Sequence, residues 1–223
     1  MGGLIPLGDA SRRSRGSATV TILIIVVNAL VFFHELAGGR AFVRAWSVIP
    51  IRVAQGHHSV TLVTSMFLHA SWMHIIGNMV FLWAFGPEME DAMGPISFLV
   101  FYLAGGVVAM LAQVLGDPFS HIPCLGASGA IAAVMGAFIV TYPRDRIRTV
   151  LFFLIFFRVT FIPAVLLIGF WFLTQLFDYG VVAEARTGGV AYLAHIGGFL
   201  FGVVTSRVFI DRRRIAFSGG AYS

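Results

Sequence analysis

A hydroxyl, two imidazoles and an amide stand inside apolar runs of this chain, where a membrane span would hold only carbon. Ser128 opens the run GASGAIAAVMGAFIV, set between Gly126 and Gly129. His195 lies within AYLAHIGGFLFGVV, and His74 and Asn78 lie within HIIGNMVFLWAFG. Polar and ionisable groups inside a bilayer are expensive and usually serve function. A serine, a histidine and amide donors are the parts of serine acyl transfer: a nucleophile, a general base and a holder for the oxyanion. The expectation is peptide-bond hydrolysis inside a membrane.

Each residue alone has an ordinary reading. Serine is a common helix N-cap, glycines often mark packing seams, and a lone histidine can be a buried, hydrogen-bonded side chain. GASGA is not the G-x-S-x-G elbow of soluble hydrolases, because position 130 is alanine. Gly126 and Gly129 still allow close backbone approach, and amides at a helix N-terminus can face an anion. His74 and Asn78, four apart, share a helix face and can aim donors at one spot. His69 is five residues before His74, roughly 140° around a helix, which favours a structural hydrogen bond over catalysis. A metal or haem site built from His69, His74 and His195 is the other chemical reading. It lacks carboxylate and thiolate partners nearby, and no His pair has i, i+4 spacing, so no metal and no cofactor is expected. No Asp or Glu sits mid-span at this depth, which favours a dyad of Ser128 and His195 over a triad.

The scaffold for such groups must be a membrane domain. The 223 residues are 58% hydrophobic and only 11% charged, against roughly 25% charged in soluble chains. Fifteen arginines and no lysines cluster at the ends of apolar segments. That pattern suits anchoring among membrane lipids, and it argues against nucleic acid as a partner. A single cysteine, Cys124, excludes an intrachain disulfide.

An all-α polytopic bundle is expected. Residues 1–17 read as a cytosolic N-terminal tail, 18–209 as a six-helix membrane domain and 210–223 as a cytosolic C-terminal tail. Spans are expected at about 18–36, 71–93, 96–115, 128–142, 163–177 and 190–209. Residues 40–70 read as short amphipathic helices at the interface. Residues 147–160 fit either an interfacial segment or part of a bent fifth span. The side holding Arg12, Arg13, Arg15, Arg144, Arg146, Arg148 and the 207–214 cluster outweighs the side holding Arg40, Arg44, Arg52 and Arg186, so both termini are expected inside.

Depth then brings the polar groups to one level. Asn78 lies roughly 10 Å and His195 roughly 9 Å along their helices, at 1.5 Å per residue. The fourth span is roughly 22 Å long, short of a hydrocarbon core of about 30 Å, so Ser128 must begin below the outer surface. Small-residue stripes, Ser128–Ala132–Gly136 and His195–Gly198–Gly202, allow the two helices to approach closely.

The segments FLHASWMHIIGNMVFLWAFG, GASGA and AHIGG, in this order and spacing, resemble the rhomboid family of intramembrane serine proteases. The likeness covers roughly residues 62–202. It implies a bacterial-type bundle of six transmembrane helices with a membrane-associated first loop, in a bacterial plasma membrane. It also implies Ser128 as nucleophile, His195 as general base, and His74, Asn78 and the Ser128 backbone amide as the oxyanion hole, with Gly126, Gly129 and Gly198 in support. Transmembrane protein substrates would enter laterally near the fifth span. Many relatives carry an aromatic residue four positions after the serine to support the histidine; here that position is Ala132. The rival from another class is a catalytically silent relative that binds membrane helices, which would keep the fold while losing the serine or histidine. A transporter would call for symmetric broken helices, and none is evident. The sequence sets no oligomeric state.

Overall fold

The computed structural model describes residues 2–11, 16, 18–153, 156–185 and 191–218. Arg12, Arg13, Arg15 and Arg186 of the orientation argument lie outside them. Six long helices form the bundle: α1 (Thr19–Trp46), α4 (Trp72–Met93), α5 (Pro95–Gly116), α6 (Ser128–Thr141), α7 (Ala164–Ala185) and α8 (Tyr192–Phe209). Short helices α2 (Pro50–Ala54) and α3 (Thr61–Thr64) lie in the first loop, and α9 (Arg212–Ser218) follows the bundle. By length and composition α1, α5 and α8 can each cross a membrane, and α6 and the first part of α7 are shorter apolar helices. In α4 the apolar run is diluted by His74, Asn78 and the acidic end at Glu88, Glu90 and Asp91.

Helix α6 is the centre of the bundle. Every residue from Gly129 to Phe138 is buried, so this short, alanine- and glycine-rich helix is wrapped by its neighbours. A helix that is apolar all round must be buried. Its tightest partner is α8. A Cβ on Gly198 would fall on the Gly129 carbonyl oxygen, one on Gly202 on the Ala133 carbonyl, and one on Gly136 on the Phe199 carbonyl. The seam on α6 is therefore Gly129–Ala133–Gly136, one residue round from the expected stripe through Ala132, while the α8 stripe is as read.

Loops and strands complete the frame. Glu90 of α4 caps the start of α1, accepting from the Val20 and Thr21 amides at 2.9 and 2.8 Å and from the Thr21 hydroxyl at 2.8 Å. Helix α1 runs past the expected end at 36 to Trp46, with a break at Gly39. The first loop carries the short helices expected of residues 40–70. It is tied to the segment before α6 by the Val48–Cys124 bridge and by the Gly126 amide donating to the Ser65 carbonyl at 2.9 Å.

The described residues of 147–160 are not part of a bent fifth span. They belong to an antiparallel pair, β2 (Arg146–Phe153) and β3 (Phe156–Pro163). The expected N-terminal tail likewise supplies a strand, β1 (Gly2–Asp9), paired with β2. The cause is an alternation of period two in a β-branched and aromatic stretch. Ile147 and Thr149 are buried, while Arg146 and Arg148 are exposed. Part of the expected C-terminal tail is the helix α9.

Gly202→Val should force α6 and α8 apart. Overpacking of this kind costs about 1–3 kcal/mol, and thermal unfolding in detergent should report a lowered midpoint. Reactivity of Ser128 should fall as well, although Gly202 lies two turns from His195.

Candidate active site

Ser128 is the first residue of α6, and the N-cap position belongs to Ala127, which makes no side-chain cap. The hydroxyl is therefore not spent on capping. It lies 2.7 Å from Nε2 of His195 on α8. The close α6–α8 seam delivers this contact, because Gly198, one turn after His195, lets the α8 backbone lie against the Gly129 carbonyl. The start of α8 is pinned from a third helix, where Oε1 of Gln113 on α5 accepts from the Ala194 amide at 3.3 Å.

The other ring nitrogen of His195 has a partner that the sequence reading missed. Nδ1 lies 2.6 Å from Oε1 of Gln175 on α7. The Gln175 amide nitrogen donates to the Trp171 carbonyl at 3.4 Å and to the Thr174 hydroxyl at 3.2 Å. A carbonyl can only accept, so the amide oxygen is the end that faces His195. Nδ1 then carries the proton, and Nε2 is left as the acceptor for the Ser128 hydroxyl. The signal was available, since Gln175 is a polar side chain in the apolar run LIGFWFLTQLF.

His74 comes from the first turn of α4, where Ser71 is the N-cap and accepts from the His74 amide. Its Nδ1 accepts from the Ala70 amide at 3.3 Å, which leaves the proton on Nε2. That edge of the ring covers Gly126: a Cβ there would sit 2.8 Å from Cε1 and 2.9 Å from Nε2 of His74, and 3.6 Å from the Ser128 hydroxyl. Gly126 also has φ +125°, a region that L side chains rarely adopt. Its lack of a side chain thus keeps the His74 donor beside Ser128. The Ser128 amide is one of the unpaired N–H groups that open any helix.

Asn78 is buried one turn deeper on α4, and its amide nitrogen donates to the His74 carbonyl at 3.0 Å. One N–H of the amide is used there and a second remains. Among the described residues Asn78 makes no hydrogen bond to Ser128 or His195. His69 stands apart from the Ser128–His195 pair. Its side chain is buried with neither ring nitrogen partnered among the described residues, and it is the backbone amide that donates to Glu35 at 2.9 Å. Burial pushes the His69 imidazole down to about 3, with the neighbouring His74 as a second cause, so it stands as a neutral ring edge-on to His74 at 5.0 Å. Among the described residues no three His, Cys, Asp or Glu side chains are grouped to hold a metal ion.

The assembly is a hydroxyl hydrogen-bonded to a neutral imidazole acceptor, with the His74 ring edge across Gly126 from the same oxygen. Such a set can move a proton from Ser128 to His195 while the oxygen attacks an electrophile. Gly126→Ala should push the His74 ring aside and strain the backbone, at a cost of about 1–3 kcal/mol. Thermal unfolding together with the rate of Ser128 phosphonylation by a fluorophosphonate checks this: both should fall.

Residues 56–212 match the profile of the Rhomboid domain. The chain is 28% identical over 200 residues to the presenilin-associated rhomboid-like protein, mitochondrial, of Homo sapiens, covering 85% of this chain and 48% of that protein. It is 27% identical over 151 residues to rhomboid protein 1, mitochondrial, of Saccharomyces cerevisiae, covering 65% and 40%. With the rhomboid protease GluP of Bacillus subtilis it shares 31% identity over 143 residues, covering 62% and 27%. The chain thus spans less than half the length of these relatives. The domain match extends over most of the chain, from the first loop through α8, and contains Ser128, His195, His74, Asn78 and Gln175: this polytopic helical membrane protein belongs to the rhomboid family.

Proposed function

We propose that the chain is an intramembrane serine endopeptidase that cuts peptide bonds within or beside the transmembrane helices of membrane-protein substrates. The observation that carries this reading is the 2.7 Å contact between the Ser128 hydroxyl and His195 Nε2. A catalytically silent helix-binding relative has no need of that pair, and both members are present.

Chemically, Ser128 Oγ attacks the scissile carbonyl carbon as its proton passes to His195 Nε2. The oxyanion that forms is held by His74 Nε2–H, the free N–H of Asn78 and the Ser128 amide. His195 then returns the proton to the leaving amine, and the C–N bond breaks to give an acyl-serine. Water, deprotonated by His195, attacks the ester and releases the new carboxyl terminus and Ser128. The imidazolium is met by a neutral glutamine amide, so the pair works as a dyad without a carboxylate.

A substrate helix hides its carbonyls in i to i−4 hydrogen bonds, so it must unwind locally before it can be cut. Helix-weakening residues near the cut should mark good substrates. Lateral entry beside α7 is supported by its packing: α7 leans on α8 and touches α6 lightly, and it has no extensive contact with α4 among the described residues. A bacterial plasma membrane is the proposed location, in keeping with the Bacillus relative, whereas the yeast and human relatives are named as mitochondrial.

Purified protein in detergent or bilayers should cleave a model transmembrane substrate, and Ser128→Ala and His195→Ala should abolish cleavage while remaining folded. Asn78→Ala separates a protease from a passive binder. Loss of one oxyanion donor typically costs about 10²–10³ in kcat, so kcat should drop by that order while substrate-helix affinity stays within a few-fold. A binding module would lose affinity and have no turnover to lose.

A further inference from the structure

Gln175 bonds the ring nitrogen of His195 turned away from Ser128, and it stands on a helix that leans on α8 and touches α6 lightly. We infer that Gln175 is the positioning residue that fixes the His195 ring and its tautomer, and that α7 must therefore be docked on α8 for the base to be in order. This rests on the reading of Ser128 and His195 as nucleophile and base.

Three observations carry it. Nδ1 of His195 lies 2.6 Å from Gln175 Oε1, and the amide cannot flip without facing its oxygen to the Trp171 carbonyl. A neutral imidazole with its proton on Nδ1 presents a lone pair on Nε2; with the proton on Nε2 it would have nothing to accept the Ser128 proton. Second, α7 also supplies the ring of Trp171, 5.7 Å from that of His195 and one turn before Gln175. With Tyr192 edge-on at 6.4 Å, these groups occupy the part an aromatic side chain at position 132 would otherwise play. Third, the α7 face that carries Gln175 is narrow. Ala164, Leu167, Ile168 and Gln175 are buried along it, whereas Val165, Leu166, Phe170, Leu173 and Leu176 are exposed. Its main anchor on α8 is the stack of Phe172 on Phe199, with ring centroids 4.2 Å apart.

The consequence is a coupling between substrate entry and chemistry. Displacing α7 to admit a helix withdraws Gln175 and Trp171 together, and frees the ring to turn or to take the wrong tautomer. Full reactivity returns when α7 closes behind the substrate. Water reaching Ser128 through an open bundle would then meet a base out of position.

Two readouts on the full chain test this. In protein with ¹⁵N-labelled histidine, the His195 ring should show Nδ1 protonated and Nε2 bare, and Gln175→Leu should shift it to a mixture of tautomers. Gln175→Leu should also slow phosphonylation of Ser128 by a small fluorophosphonate about tenfold or more, the worth of a lost charge-developing hydrogen bond. Gln175→Glu keeps an acceptor and should restore most of the rate. The added carboxylate favours the imidazolium, so His195 stays protonated to higher pH and the acid limb of the rate profile moves upward. Phe172→Ala, which loosens α7 without touching the ring, should slow labelling in the wild-type background and have little further effect with Gln175→Leu. Wild-type tautomer and labelling rate in Gln175→Leu would overturn the inference. A Gln175-dependent tautomer in a protein whose Ser128 is never labelled would uphold the positioning role and overturn the protease reading alone.

Discussion

A hydroxyl and an imidazole inside a membrane are stabilised by bonding to one another, and here that bond exists because α6 and α8 touch backbone to backbone. Glycines at 136, 198 and 202 remove the side chains that would hold the helices apart. Between helices in lipid there is little hydrophobic driving force, so close van der Waals contact must do the joining. The same contact sets Ser128 Oγ and His195 Nε2 at 2.7 Å. Packing and chemistry are thus one feature, and the rest of the molecule serves to hold it.

Each further helix contributes one fixture. Helix α5 pins the start of α8 through Gln113, and α4 brings the His74 edge over Gly126. The first loop is seated by Met66, fully buried in the core, and by the His69 amide on Glu35. These bonds place donors beside Ser128 on rigid elements. Helix α7 joins the site through the Gln175 side chain, while Val165, Leu166, Phe170, Leu173 and Leu176 face outward.

The helical part of the fold was legible because spans announce themselves by long apolar runs, and the polar residues within them stood out against that background. Depth counting brought Ser128 and His195 to one level from helix geometry alone. Gln175 satisfies the same criterion, but a neutral acceptor behind a histidine carries no charge to set it apart from an ordinary polar side chain in a span. Residues 147–160 fit more than one reading because hydropathy averages cannot tell a strand from a helix. The alternation of Arg146 and Arg148 with Ile147 and Thr149 held the answer. The one-residue shift of the α6 seam lay beyond sequence: Ala132 and Ala133 are both small, and only the rotation of the packed helix decides between them. The pairing of β1 with β2 joins segments more than a hundred residues apart, and no local pattern in either strand names its partner.

The most direct measurement is to map the adduct of a fluorophosphonate on the folded wild-type protein by tandem mass spectrometry. If Ser128 is the nucleophile served by His195, a single phosphonyl group should appear on Ser128, with none on Ser65, Ser71 or Ser206. A folded protein that takes no label, or takes it on another serine, would contradict the assignment.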